Sequence, residues 1–116
     1  MSPRQNLRAT PLRPAVFHIL LALAAGDRHG LGIAEEIERA SGGQLELGPG
    51  TLYRSLAEMV EAGLIRSVKG PTPEADPRRK HYRLTAAGRT VLAAEAGRLQ
   101  QLVAAARARR VLSDPT

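Results

Sequence analysis

Side chains that could bind a metal ion are few and widely spaced in this 116-residue chain. The three histidines, His18, His29 and His81, lie far apart, and no two stand four residues apart as paired ligands on one helix would. The chain contains no cysteine, which excludes disulfide bonds and thiolate metal sites. We therefore expect no metal site, and we expect His29 to cap or pack at the start of a helix.

Groupings typical of catalysis are missing as well. Asp27 and His29 are close in sequence but have no nearby nucleophile, because Ser41 and Ser55 fall in separate predicted elements. The glutamates at positions 35, 36 and 38 fit a solvated helix face better than a pair of acid–base carboxylates. The Gly-Pro-Gly stretch at 48–50 lacks the remainder of a nucleotide-binding loop. We predict that the protein is not an enzyme and needs no cofactor.

Positive charge is the chemical feature that the sequence does offer, with a formal net charge of +6. Residues 28–62 carry three Arg against six Glu, a net of −3, whereas residues 66–83 carry six Lys and Arg against two acids, a net of +4. Residues 84–116 add five Arg against two acids, a net of +3. A basic region beside an acidic one favours a polyanionic partner such as a nucleic acid. An Arg-rich composition that only keeps the surface soluble is the alternative.

The apolar pattern predicts the elements that position these charges. Residues 1–13 fit a flexible arm. Pro14 suits the first position of a helix that closes at Gly26. This helix, AVFHILLALAA, is apolar nearly all round, so we expect it to be buried on two sides, one of them against a partner subunit. A second helix follows in HGLGIAEEIERA and ends at a double glycine.

The third helix, within GPGTLYRSLAEMVEA, has two distinct faces at 100° per residue. The apolar face holds Leu52, Leu56, Met59 and Val60. The opposite face holds Thr51, Arg54, Glu58 and Glu61, and Tyr53 and Ser55 flank it. Such an outward face can enter the major groove of DNA, and the free N–H groups at the helix start favour phosphate. An ordinary amphipathic helix of a small bundle would show the same two faces.

Two short predicted strands, LIRSVKG and KHYRL, flank the Pro-rich stretch PTPEADPRR. Tyr82 and Leu84 alternate with His81 and Arg83, as in a half-buried strand, which predicts a β-hairpin with a long tip. Basic residues on a protruding hairpin can contact phosphates, and a solvated loop with incidental charge is the alternative. The order of elements predicts a mainly α winged helix-turn-helix with a small β-hairpin over residues 14–84.

A long last helix begins after Thr85, a suitable N-cap, and runs to about Leu112, which leaves 113–116 as a tail. Its apolar stripe consists of Leu92, Ala96, Leu99, Leu102, Val103 and Ala106. The first three helices do not need this stripe, so we interpret residues 85–112 as a dimerisation helix. Together with the first helix, it predicts a dimer interface made of Phe17, Leu20, Leu92, Leu99, Leu102 and Val103.

Three stretches together resemble the PadR family of bacterial transcriptional regulators: PAVFHILLALAAGDRHGLGI, LGPGTLYRSLAEMVEAGLI and RRKHYRLTAAGR. The specific part is the combination of HG, GPGTLYRSL and YRLTxxG between about Leu12 and Val91. The resemblance implies a homodimeric repressor that binds a pseudo-palindromic operator in double-stranded DNA and is released by a small molecule. Leu31 departs from the family pattern, since many members have an aromatic residue there, and the single helix after the wing fits the short subgroup.

The resemblance also implies roles for individual residues. Carried over by position, it places Thr51, Tyr53 and Arg54 on DNA, with Ser55 in the same group. It assigns Lys69, Arg78, Arg79 and Lys80 to DNA contacts of the wing.

A small-molecule effector would bind between the subunits, near Phe17, Leu20 and Leu99. Two other interpretations stay open at this point: another winged-helix regulator, similar to the MarR family, or a winged-helix module for protein–protein interaction. Glu58 and Glu61 favour the second, because they would repel phosphate.

The longest apolar run, residues 15–25, is too short to span a bilayer, and it does not follow the pattern of a secretory signal. We therefore expect a cytoplasmic bacterial protein, associated with the nucleoid and without a membrane partner.

Overall fold

The computed structural model describes residues 7–70 and 80–113. Its elements are α1 (Pro14–Ala24), β1 (Arg28–His29), α2 (Gly30–Ala40), α3 (Pro49–Glu61), β2 (Ile65–Val68), β3 (His81–Leu84) and α4 (Ala86–Ala108). This order confirms the predicted mainly α winged helix-turn-helix with a hairpin and a long last helix. α4 ends at Ala108, earlier than the predicted end near Leu112, and Arg110 then adopts a positive φ of 60°.

The sheet has one strand more than the sequence predicts. β3 lies in the middle and pairs antiparallel with β2 on one side and with β1 on the other. β1 contributes two residues, with Arg28 opposite Tyr82 and His29 opposite His81. A strand this short carries no alternating pattern of its own, because its formation depends on the neighbouring strand. It fixes the start of α2 against the base of the hairpin.

Two predicted caps set the starts of α2 and α4. Nδ1 of His29 accepts a hydrogen bond from the backbone N–H of Gly32 at 3.0 Å. The hydroxyl of Thr85 accepts from Gly88 N at 3.0 Å and donates to the carbonyl of Gly63 at 2.7 Å. A side-chain cap of this kind contributes about 0.5–2 kcal/mol to stability. Both caps confirm the sequence-based expectation.

The hydrophobic core lies where α1, α2, α3 and the sheet meet. α1 buries Val16, Ile19, Leu20 and Leu23, and α3 buries Leu52, Leu56 and Met59 as predicted. Val60 is a wrong prediction, because its side chain is 39% exposed. Ser55 is instead only 7% exposed, so the buried stripe of α3 is turned toward Ser55 and away from Val60.

α4 packs on the core only through its first half, where the buried residues are Gly88, Leu92 and Glu95. Beyond that point Leu102 and Val103 are 54% and 37% exposed. Leu20 and Leu92 are therefore wrong predictions for a dimer interface, since at 0% and 8% exposure they fill the core of their own protomer.

Residues 7–13 do not form the predicted free arm. Leu7 and Leu12 are only 5% and 7% exposed and belong to the hydrophobic core. Burial of a leucine side chain contributes about 1.5–3 kcal/mol, so both leucines favour the packed position of this segment. The remainder of the predicted arm, residues 1–6, lies outside the described residues.

Candidate nucleic-acid interface

The first turn of α3 is open to solvent. Its N-cap is Gly48, which makes no side-chain cap, whereas side chains cap α2 and α4. Gly48, Pro49, Gly50 and Thr51 are all exposed, and no atom would lie within 4 Å of a Cβ built on either glycine. Uncapped N–H groups at a helix start, together with the positive end of the helix dipole, form a binding site for anions such as phosphate.

Three of the four residues predicted to contact DNA from α3 are exposed. Thr51 and Arg54 are exposed at the N-terminal half of the helix, and Tyr53 is 53% exposed beside them. Ser55 is the exception and a wrong prediction, because it lies within the buried stripe between Leu52 and Met59. A residue three positions after one core residue and four before another shares their face, so its hydroxyl cannot reach a bound duplex.

Tyr53 lies against the start of α2. A Cβ built on Gly30 would come within 2.8 Å of both Cε1 and Oη of the tyrosine, so only glycine at this position leaves room for the ring. Beyond the ring, a groove of about 740 Å³ separates α3 from the sheet. Leu31, Val60 and Tyr82 line it together with Tyr53, and Lys80 lies at its edge. Burial raises the pKa of the Tyr82 phenol, and the neighbouring Tyr53 adds to the shift.

Two predicted basic residues of the wing lie at the base of the hairpin. Lys69 follows β2 and Lys80 precedes β3, and both are exposed. The register pairs Val68 with His81, so the two lysines leave the sheet at adjacent points. They therefore lie at the end of the sheet that leads into the hairpin connection. Arg78 and Arg79, the other two wing residues, lie outside the described residues.

Arg66 and Arg83 form a pair that the charge count of the sequence does not reveal. They lie directly opposite each other on β2 and β3, and both are exposed. Like charges in this position destabilise a sheet. Asp27 offsets the repulsion, because its Oδ2 lies 2.7 Å from Nη2 of Arg83. The Arg83 hydrogen bond lowers the pKa of Asp27 below its ordinary value. The sequence could have indicated this pair, because an antiparallel pairing of the two predicted strands brings the two arginines opposite each other.

The two glutamates on α3, Glu58 and Glu61, have different surroundings. Oε2 of Glu58 lies 3.1 Å from Nη2 of Arg13, and the glutamate side chain is only 23% exposed. Glu61 is exposed in the last turn, one helical turn beyond Ala57 and two turns beyond Arg54. The acidic charge is therefore paired or distant from the exposed first turn of α3.

Residues 7–70 and 80–113 include no group of three His, Cys, Asp or Glu side chains that could hold a metal ion. In that same part of the chain, none of the helices combines the length and the apolar character needed to cross a bilayer.

Comparisons with known proteins identify related chains. A family model described as "Transcriptional regulator PadR-like family" matches residues 19–94. A PadR family transcription regulator from Clostridium difficile has a similar structure, with a TM-score of 0.68 and 25% identity over 80% of this chain and 94% of the other. Bacillus subtilis PadR, solved in complex with operator DNA, aligns with a TM-score of 0.60 and 23% identity over 71% of this chain and 46% of that chain. At that identity the second match shows the fold alone.

A curated relative is an uncharacterized 37.1 kDa protein in transposon Tn4556 of Streptomyces fradiae, which is 39% identical over 84 residues. The match covers 72% of this chain, which therefore spans about a fifth of that protein's length, 22%. The family match confirms the resemblance noted in the sequence, sets the MarR-like alternative aside, and names regulators rather than enzymes. Because the match extends over well more than half of the residues, the chain belongs to the PadR-like family of transcriptional regulators.

Proposed function

We propose that the protein is a sequence-specific DNA-binding repressor that acts as a homodimer on a pseudo-palindromic operator. In this proposal α3 of each protomer lies in the major groove. Arg54 contacts base edges, and Thr51 and Tyr53 contact phosphates or a base edge. Lys69 and Lys80 contact the sugar–phosphate backbone from the wing.

The observation that carries this proposal is the exposed, uncapped first turn of α3. His29 and Thr85 cap α2 and α4, whereas α1 and α3 begin without a side-chain cap, and the exposed Gly-Pro-Gly stretch also leaves the backbone uncovered at the start of α3. Arg54 lies one turn further along the helix and is exposed. A helix start that binds phosphate beside an arginine that reads bases is a combination suited to duplex DNA. The operator complex of Bacillus subtilis PadR supports the proposal at the level of the family.

The second half of α4 supports the homodimer. Leu102 and Val103 expose apolar surface there, and Leu99 is partly buried. An apolar stripe on a helix that leaves the body of its protomer favours packing against a second copy of that helix. In this proposal a small-molecule effector binds between the subunits near Phe17 and Leu99. We propose that the protein works in the cytoplasm, on the nucleoid.

Selection from a random duplex library tests this function. The wild-type protein should enrich an inverted repeat, because two symmetry-related α3 helices read two half-sites. Arg54→Ala should retain binding but enrich a less defined sequence. Lys80→Ala should weaken all duplexes about equally and reduce the slope of log affinity against log salt by about one.

Arg39→Ala is the matched control, because it removes the same charge from an exposed position on α2 where Arg39 pairs with Glu36. It should leave the selected sequence unchanged. A wild-type protein that enriches no sequence at low salt would contradict the proposal.

The exposure of Glu61 favours a second candidate function, in which the protein is a module for protein–protein interaction. Glu61 places an exposed carboxylate on α3 directly after Val60, which lines the apolar groove together with Leu31. Salt-dependent binding of duplex DNA in the experiment above would exclude this as the main role of α3.

A further inference from the structure

Residues 7–13 contact both α3 and α4, in addition to the direct contact that Thr85 makes with Gly63 and Leu64. We refer to this segment as the N-terminal strap. Leu7 and Leu12 anchor it in the core at 5% and 7% exposure. The polar groups of the strap reach α3 through Arg8 and Arg13 and reach α4 through the backbone of Leu12.

Arg8 binds the C-terminal end of α3. Its Nε and Nη2 donate to the carbonyl of Ala62, the C-cap residue of that helix, at 3.2 and 2.6 Å. The last carbonyls of a helix have no partner within the helix and carry the negative end of its dipole. A guanidinium there supplies the missing hydrogen-bond donors and a favourable positive charge. Gly63 follows with a φ of 78°, and a Cβ at that position would lie 3.0 Å from Nη2 of Arg8. The arginine and the glycine therefore fit each other closely.

The strap binds α3 a second time through Arg13, one turn nearer to the exposed first turn of that helix. Nη2 of Arg13 donates to Oε2 of Glu58 at 3.1 Å. Without this partner, the glutamate side chain would be an unpaired negative charge on the flank of α3 that also holds Thr51. The strap thus touches α3 at its C-cap and at its acidic flank.

Glu95 holds the strap to α4. The backbone N–H of Leu12 donates to Oε2 of Glu95 at 2.7 Å, and the glutamate is only 2% exposed. Arg98, one turn further along α4, forms an ion pair with the same carboxylate. The Arg98 hydrogen bond lowers the pKa of Glu95, with a smaller contribution from Leu12, against the opposing effect of burial. A buried carboxylate that is paired and hydrogen-bonded fixes the relative position of its partners.

We propose that the N-terminal strap couples α4 to α3, so that the helix that pairs the protomers also sets the position of the helix that reads DNA. Within the strap, Arg13 is a positioning residue that holds Glu58 away from bound phosphates. This inference rests on the proposed function, because it concerns how α3 is presented to a duplex. It assigns a role to Arg8, Arg13 and Glu95, for which the sequence alone indicated none.

A double-mutant cycle tests the role of Arg13. Binding of the selected duplex is measured for wild type, Arg13→Ala, Glu58→Gln and the double variant. Independent charges would make Glu58→Gln raise the affinity by the same factor in both backgrounds. We expect a factor about two- to fivefold larger in the Arg13→Ala background, the range found for exposed charge pairs. Equal factors in the two backgrounds would overturn the role of Arg13.

Hydrogen exchange tests the coupling without DNA. Glu95→Gln removes charge from α4 about two helical turns beyond Gly88, which packs on Leu64, and the readout is the exchange of the amides at 62–64 that follow α3. We expect those amides to exchange at least about threefold faster in the variant, because local opening becomes easier when its tether is released. Arg8→Gln, at the other end of the strap, should produce the same increase, and it does so without changing α4.

Glu38→Gln is the control, since it removes the same charge from an exposed position on α2. Unchanged exchange at 62–64 in both Glu95→Gln and Arg8→Gln would overturn the coupling. If the wild type binds no duplex, the proposed function fails, and the exchange measurement still decides whether the strap couples the two helices.

Discussion

Gly30→Ala separates the position of Tyr53 from the stability of the fold. The added Cβ would lie 2.8 Å from Cε1 and Oη of Tyr53, whereas carbon atoms in contact lie about 3.5–4.0 Å apart, so the ring must retreat by about 0.7 Å or more. The ring is 53% exposed and can move outward. Alanine is also compatible with the first position of α2, so we expect the free energy of unfolding to change by less than about 1 kcal/mol.

DNA binding should respond more strongly than stability. Displacement of Tyr53 removes one contact with the duplex, and a hydrogen bond of about 1 kcal/mol corresponds to about fivefold in affinity. Fluorescence anisotropy with the selected duplex measures this loss, and thermal unfolding measures the stability. Gly32→Ala is the control on the same helix, because its Cβ would make only ordinary contact with His29, at 3.5 Å. Equal affinities of the two variants would refute the role assigned to Tyr53.

Three further predictions concern the wing, the packing of α4 and the dimer. Gly88→Ala should lower the free energy of unfolding by at least about 2 kcal/mol in a denaturant titration, because its Cβ would lie 2.0 Å from the carbonyl oxygen of Leu64, a backbone atom that cannot turn aside. Asp27→Asn should remove a pH-dependent part of the stability. Since Arg83 holds the pKa of Asp27 below its ordinary value of 3.8, this part is complete above that value and is lost as the pH falls through the lowered one. Leu102→Glu should convert the dimer to monomer in sedimentation equilibrium, because it places a charge on apolar surface that a partner helix would cover.

Matched variants distinguish these effects from general disturbance. Gly97→Ala lies on the same helix as Gly88, has nothing within 4 Å of its Cβ, and should not destabilise the protein. Glu38→Gln removes an exposed acid and should keep the loss of stability at low pH that Asp27→Asn abolishes. Gln101→Glu adds the same charge beside Leu102 at an exposed polar position and should leave the dimer intact. A monomeric Gln101→Glu variant would contradict the account of the interface.

The sequence predicts features that depend on local chemistry. His29 and Thr85 act as caps because each stands directly before a helical pattern and carries a side-chain acceptor, a combination that is visible along the chain. Gly63 ends α3 with a φ of 78°, as a glycine in that position should. The exposed face of α3 follows from its periodicity, which places Thr51 and Arg54 opposite the core.

Features that depend on tertiary packing were not predictable in the same way. Periodicity locates the apolar face of α3 but not its exact edge, so Ser55 and Val60 exchange their expected environments. The type of a residue does not show whether its own protomer or a partner covers it. Leu20 and Leu92, which the sequence assigned to the dimer interface, therefore turned out to lie in the core of their own protomer. Glu95 was detectable, because it stands three residues after Leu92 and four before Leu99 in an otherwise apolar stripe. Its partner, the backbone of Leu12, is 83 residues away.

Directed cleavage of DNA shows whether α3 lies in the major groove of a bound duplex. The chain has no cysteine, so Thr51→Cys provides a single attachment point for an iron chelate that cuts nearby DNA. With the selected duplex, we predict cuts within the major groove of each half-site, related by two-fold symmetry. The same chelate at Arg109→Cys, at the far end of α4, should cut weakly or not at all. If the duplex is bound but position 51 gives no cuts while position 109 does, the claim that α3 lies in the major groove is contradicted.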